Sequence, residues 1–325
     1  MSVFAYFGPA GTFTEMALDQ ALATPRIAES LRLGEGVERV AAASPGATIE
    51  MVRSGAADYG CVPIESTLEG NVSATADALI PPGAGDKGRV QVFGETTLDI
   101  AFTIAARTAL APDEVRTVAA YPVAAAQVRS SVARLYPGAE FVTSVSNAAA
   151  AQDVAAGKAD AAVTTGLAAA LSDLTVLADG IADAQGAATR FVIVGHPAPP
   201  PARTGADRTA VILDLPNEPG SLMAAMNEFA SRGVDLTRIE SRPQRDLDYG
   251  RTLAGHYRFF LDAVGHIDDD AVAEALAALQ RRCDRVVFLG SWPADRGVGS
   301  PPPDHSGSRA WLDAMRRGDD AGDGS

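Results

Sequence analysis

Cysteine, lysine and histidine are scarce in this chain of 325 residues, and each scarcity closes a route to function. Cys61 and Cys283 are the only cysteines and lie far apart, which fits a reducing compartment better than a disulfide scaffold. Lysine occurs only at Lys87 and Lys158, both in polar, glycine-adjacent surroundings. That argues against a Schiff-base lysine and leaves any bound anion to arginine, hydroxyls or backbone N–H groups. His196, His256, His266 and His305 are not at metal-ligand spacing, which argues against zinc chemistry. Positive charge is also in deficit: 27 Lys and Arg against 41 Asp and Glu give a net charge of −14. Nucleic acids and anionic membranes need a cationic surface, so neither is an expected partner. No apolar run reaches the ~18 residues of a membrane span. No Lys or Arg precedes Arg26, so a secretory signal would lack its basic start, and a cytoplasmic location is expected.

What is present is globular. The hydrophobic fraction is 47%, enough to bury a sizeable core, and the length suggests about two domains of ~150 residues. Up to about residue 195, short apolar runs alternate with helical patterns. Strands are expected at 3–7, 58–64, 89–93, 98–105 and 190–195, and helices at 14–23, 123–135 and 148–156. This alternation predicts an α/β domain with helices covering a largely parallel sheet. The run from Met51 to Asp58 has an echo from Asp153 to Asp160. Each reads as a helix closed by glycine, then Ala-Asp, then a short buried strand. The echo fits two similar lobes facing a cleft, or one ordinary connection used twice.

Residues 196–206, with Pro197, Pro199, Pro200, Pro201 and Gly205, read as a linker. Beyond it, strands are expected at 209–215, 234–240, 252–264 and 286–289, with helices at 220–232 and 268–282. The order βαββαβ is the ferredoxin-like arrangement. The segment 294–325 is rich in Gly, Pro, Ser and Asp and reads as a disordered tail, with an amphipathic patch at Trp311, Leu312 and Met315.

Three stretches could carry chemistry. GPAGTFTE at 8–15 and VPIESTLEGNV at 62–72 each follow a strand and precede a helix. Glycine lets backbone approach a ligand and a helix start offers free N–H groups, although both loops also serve as plain capped helix starts. Ligands of α/β domains bind beyond the carboxyl ends of the strands, which favours a site. In TRF at 189–191, Thr189 is a neutral proton donor and Arg190 a partner for a carboxylate, or a solvated arginine at a strand start. On physical grounds alone this is a two-lobed binder of a small anion with a regulatory module.

Taken together, these segments resemble the prephenate dehydratase family, whose members convert prephenate to phenylpyruvate. NEPGSL at 217–222 and ESRP at 240–243 extend the resemblance to the phenylalanine-sensing ACT domain of that family, so that it covers about residues 1–290. The resemblance implies a bilobed catalytic domain like type 2 periplasmic binding proteins at 1–195, a linker at 196–206 and an ACT domain at 207–293. It further implies a homo-oligomer, dimer or tetramer, and a reaction that needs no redox cofactor or metal. Thr189 would be the catalytic hydroxyl, with prephenate held by Thr12, Ser66, Thr67, Asn71, Arg190 and Phe191; Arg190 would either anchor a carboxylate or hold the motif in shape. Phenylalanine would be received by Asn217, Pro219, Gly220, Ser221, Leu222, Glu240, Ser241 and Arg242.

The chain departs from the commoner family pattern at three places. Glu65-Ser66-Thr67 stands for Glu-Asn-Ser, Tyr121-Pro122 for His-Pro (while Gln127 fits), and Gly186-Ala187-Ala188 lacks an Asn. A non-catalytic solute-binding protein and an amino-acid sensor with an effector domain are the rival classes. The first would not need Thr189, and the second predicts a basic DNA-binding helix that this acidic chain does not offer.

Overall fold

The computed structural model describes residues 1–31, 33–83, 86–184, 186–245, 252–297 and 299–319. The chain divides into two compact units, one of Met1–Ile80 with Gly94–Pro197 and one of Pro81–Phe93 with Ala198–Ser325.

The first unit opens with β1 (Ser2–Phe7), α1 (Phe13–Ala23), α2 (Pro25–Ser30), β2 (Val37–Ala42), α3 (Pro45–Ser54), β3 (Tyr59–Ser66), β4 (Gly70–Asn71), α4 (Ser73–Leu79) and β5 (Gln91–Asp99). The chain then crosses to a second sheet through β6 (Thr103–Ala106), β7 (Thr117–Ala120), α5 (Pro122–Leu135), β8 (Glu140–Thr143), α6 (Asn147–Ala155), β9 (Ala161–Thr164), α7 (Gly166–Leu171) and β10 (Thr175–Ala178). It returns as β11 (Ala188–Gly195).

The first sheet runs β2-β1-β3-β11-β5, with β4 beside β3, and the second runs β10-β6-β9-β7-β8. Read from its far edge, the second repeats the plan of the first. In each, two parallel strands flank a third, and the next neighbour is an antiparallel strand reached by crossing between the lobes. The sequence echo is therefore a repeat of structure. Gly55 and Gly157 end their helices at φ 78° and 74°, a conformation that costs glycine nothing. The two aspartates that follow do the same job in each lobe. Asp58 Oδ2 accepts the N–H of Val3 at 2.8 Å, and Asp160 Oδ2 accepts those of Arg116 and Thr117 at 3.0 and 2.9 Å. Each carboxylate thus pins the start of the neighbouring parallel strand.

Each lobe has its own apolar interior. Phe4, Leu18, Ile49, Val62 and Ile193 are buried in the first lobe, and Phe102, Ile104, Val118, Val128 and Val163 in the second. Alanines of α6, individually uninformative in sequence, let that helix lie close to its sheet: Ala150 and Ala151 are fully buried.

The second unit contains β12 (Asp207–Asp214), α8 (Ser221–Ala230), β13 (Leu236–Arg245), β14 (Thr252–Val264), α9 (Asp270–Arg282), β15 (Arg285–Pro293) and α10 (Ser306–Arg317). The strand order β13-β14-β12-β15 is that of a ferredoxin-like sheet, and Val211, Leu213, Leu261 and Ala263 pack against Phe229, Ala275 and Leu279 of its helices. Segment Pro81–Phe93 belongs to this unit although it precedes it in sequence. The Arg89 guanidinium lies 5.9 Å over the Phe288 ring, Arg285 pairs with Asp86 at 2.8 Å, and Gln91 Nε2 donates to Ala198 O at 2.8 Å.

Several sequence expectations need correction. The strands expected at 89–93 and 98–105 are β5 and β6, with the break at 100–102. The strand expected to end before Pro243 continues to Arg245, with Pro243 opposite Tyr257. Because β13 is an edge strand, the N–H that proline lacks is not required by a neighbour. The tail expected to be disordered contains α10, closed by Gly318 at φ 76°, with Arg309 paired to Asp270. Its flanking Gly and Pro residues hide twelve residues rich in Ala, Leu, Met and Arg, all good helix formers.

Candidate active site

The carboxyl ends of β1, β2 and β3 in the first lobe face those of β7 and β8 in the second. Between them lies a cavity of about 830 Å³, a position expected of a ligand site in α/β sheets. The first lobe contributes Phe7, Gly8, Thr12 and Phe13, then Ser66, Leu68 and Glu69, and from β11 Thr189 and Phe191; the second contributes Tyr121, Gln127, Ser146, Asn147 and Gln152. Ile100 and Phe102 line it at the outgoing crossing. Among the described lining residues none is Lys or Arg, so a bound anion is met by hydroxyls, carboxamides and helix N-termini.

The glycine loop is shaped by contact across the lobes. Gly11, at φ 88°, is so close to α7 that a Cβ would lie 2.9 Å from Ala168 Cα. Its carbonyl accepts from the Thr165 hydroxyl at 2.6 Å, and its N–H donates to Glu15 at 2.6 Å. Thr12 follows as the N-cap of α1 without capping through its side chain. Its hydroxyl makes only a long contact of 3.4 Å to Phe7 O, which leaves it available to the cavity.

Ser66 and Thr189 are direct cross-strand partners on β3 and β11, and both reach the cavity. Ser66 Oγ accepts long bonds from the N–H groups of Leu68 and Glu69, at 3.3 and 3.4 Å, so its own proton is free for a ligand. Of the expected substrate residues, the structure brings Thr12, Ser66, Thr189 and Phe191 together. It places the other three elsewhere. Thr67 Oγ1 accepts the N–H of Ala188 at 2.9 Å, while its own N–H donates to Ala188 O at 2.9 Å. That hydroxyl holds the strand start just before Thr189. Asn71 is exposed on β4, outside the cavity lining. Arg190 alternates to the opposite side of β11 from Thr189 and Phe191, where Glu65 and Glu95 engage its guanidinium. Of the two roles open to Arg190, the structure therefore supports holding the motif.

Residues from the second lobe were less visible in sequence. Gln127 sits one and a half turns into α5, and Asn147 opens α6 beside its N-cap Ser146. Asn147 Oδ1 is buried with no hydrogen-bond partner among the described residues, an acceptor that a ligand donor would satisfy. The available signal was the Ser-Asn before an alanine-rich helix, which reads equally as a cap.

The residues expected to receive phenylalanine fall in two places in the second unit. Asn217 and Pro219 lie on an exposed turn, Gly220 is the N-cap of α8 at φ 85°, Ser221 starts that helix, and Leu222 packs on the core. On β13, Ser241 is exposed and Arg242 half-buried, but Glu240 is buried and paired with Arg238, which also faces Asp262 at 3.5 Å. Glu240 is thus engaged within its own sheet.

A two-lobed α/β unit with its cavity at the strand ends defines a small-molecule enzyme or binder, here followed by a ferredoxin-like module. The family described as prephenate dehydratase matches residues 4–199, and the ACT domain matches residues 209–281. The prephenate dehydratase of Mycolicibacterium vanbaalenii is 52% identical over 321 residues, covering 98% of this chain and 99% of that protein. The crystal structure of prephenate dehydratase from Arthrobacter aurescens in complex with L-Phe matches with a TM-score of 0.82 at 36% identity, covering 97% of this chain and 99% of that one. A structure described as GqqA, a novel type of quorum quenching acylase, matches with a TM-score of 0.75 at 26% identity, covering 90% and 98%. The chain belongs to the prephenate dehydratase family. It is an enzyme of the hydro-lyase class and carries an ACT domain.

Proposed function

We propose that the enzyme converts prephenate to phenylpyruvate, CO2 and water in L-phenylalanine biosynthesis, in the cytoplasm, and that phenylalanine inhibits it through the ACT domain of a homo-oligomer. The observation that carries the catalytic reading is Thr189, opposite Ser66 at the wall of the interlobe cavity. In the reaction the C–C bond to the ring carboxylate breaks and its electron pair enters the ring. The ring expels its 4-hydroxyl group, which leaves as water on gaining a proton. Thr189 donates a hydrogen bond to that departing oxygen. A positioned proton donor contributes ~10²–10⁴-fold, or roughly 3–5 kcal/mol.

The apolar wall formed by Phe13, Phe102, Ile100 and Phe191 desolvates the ring carboxylate and favours the loss of its charge as CO2. The side-chain carboxylate is received by the start of α1 with the hydroxyls of Thr12 and Ser66. The electron pair released with CO2 leaves the ring with the departing hydroxyl oxygen, so no electron carrier enters the balance, and aromatisation makes the reaction downhill.

Turnover of prephenate, followed by the ultraviolet absorbance of phenylpyruvate in base, tests this reading; a folded chain that leaves prephenate unchanged would sink it. Regulation is tested separately by calorimetry with L-phenylalanine. Gly220→Ala places a Cβ in open space but at φ 85°, which disturbs the α8 start while leaving the cavity untouched. Reduced phenylalanine binding and inhibition are expected, and if both are unchanged the effector site lies elsewhere.

A further inference from the structure

Helix α5 carries a partner that its own sequence does not supply. Asp183 lies on the return crossing between β10 and β11 and reaches into the middle of that helix. Its backbone N–H donates to Gln127 O at 2.8 Å. Its carboxylate accepts the N–H groups of Ser130, on Oδ2, and Ser131, on Oδ1, each at 2.8 Å. In a regular helix the Gln127 carbonyl is the acceptor for the N–H of Ser131, four residues on. Asp183 supplies a partner to both ends of that bond, so the crossing segment is inserted into the helical ladder at one turn.

The place of this insertion matters. Gln127 lines the cavity from the second lobe, and six residues beyond Asp183 the same crossing delivers Thr189 to the cavity from the first. We infer that Asp183 is a positioning residue for the reaction, fixing the Gln127 backbone and tying it to the segment that carries Thr189. Desolvation opposes the charge on Asp183, but the groups of Ser130 and Ser131 outweigh it and hold the carboxyl below its ordinary range. The insertion is therefore intact at neutral pH. Gln127 needs this support because, in a cavity without lysine or arginine in its described lining, a substrate carboxylate is met by neutral donors such as its carboxamide, whose hydrogen bonds depend on placement.

The inference rests on the reading of the cavity as the prephenate site, and a double-mutant cycle on kcat/KM for prephenate tests it. Asp183→Ala is expected to lower kcat/KM about ten- to a hundred-fold, the cost of misplacing a binding group by about 1 Å. In a Gln127→Ala background the same change is expected to cost less than about three-fold, because residues acting through one another are not additive. Both variants keep the backbone N–H that donates to Gln127 O, and Asp183→Asn also keeps one side-chain acceptor, so it should recover much of the loss. If Asp183→Ala fails to fold, the cycle with Asp183→Asn is read in the same way, with coupling of the same sign. Equal losses in both backgrounds, or no loss in either, overturn the inference while the wild-type enzyme still turns over prephenate. A wild-type enzyme inactive on prephenate overturns the functional reading and this inference with it.

Discussion

The guanidinium of Arg190 stands 3.0 Å from the carboxylate of Glu95, a group that is only 1% exposed. Arg190 also donates to Glu65 Oε2, from Nε at 3.3 Å and from Nη2 at 3.1 Å. Glu65 precedes Ser66 and Arg190 follows Thr189, so the ion pair locks the two strands whose neighbouring residues face the cavity.

Removing that cation should therefore act on stability first. Arg190→Leu leaves a carboxylate buried without the arginine that compensates it, and is expected to cost about 3–5 kcal/mol. Urea denaturation measures the loss. A variant of unchanged stability whose KM for prephenate rises would instead make Arg190 a substrate ligand.

Thr189 and Thr67 should separate chemistry from support. Thr189→Ala is expected to keep the fold and lose about 10²-fold or more in turnover, with Thr189→Ser retaining much of it. Thr67→Val removes the acceptor for the Ala188 N–H and exposes a smaller defect, whereas Thr67→Ser keeps that bond. Steady-state kinetics with circular dichroism decides the matter, and wild-type turnover in Thr189→Ala would remove it from the mechanism.

Acid should loosen the second lobe through Asp160. Desolvation works to raise the pKa of this carboxyl, but hydrogen bonds from Thr117 and Arg116 prevail and hold it below its ordinary value. A carboxyl depressed in the folded state stabilises fully above its unfolded pKa of about 3.9, and that contribution fades as pH falls through the lower folded value. Wild-type stability should thus decline below about pH 4, and Asp160→Asn should show a shallower decline in that window. Thermal melts of both proteins between neutral pH and pH 3 provide the comparison, and parallel slopes would exclude the contribution.

Much of the frame was legible because it depends on local patterns. Glycine after a helix, aspartate three residues later and a short apolar run identified both α3–β3 and α6–β9, and the structure shows the two lobes repeating one plan. The βαββαβ order of the second unit followed from alternating periodicity in the same way. Boundaries were less legible where a neighbour decides them. β13 runs through Pro243 because, among the described residues, no strand lies on its outer side, and β15 extends to Pro293 because β12 pairs with it throughout.

By itself, the sequence determined the two helix–glycine–Ala-Asp–strand units, the βαββαβ order and the glycine loops at strand ends, since each follows from chain-local chemistry and spacing; that segment Pro81–Phe93 joins the second unit was decided by packing. Which polar groups share the cavity was decided only in three dimensions. A strand turns alternate residues to opposite faces, so Thr189 and Arg190, adjacent in the chain, part company: one lines the cavity and the other joins Glu65 and Glu95. Ser66, the last residue of β3, faces the cavity, while Thr67, in the turn beyond it, bonds to Ala188. The contacts of Asp183 with Gln127 and of Thr165 with Gly11 join segments 56 and 154 residues apart. No local pattern encodes such pairs, because their partners meet only when the two crossings bring the lobes together.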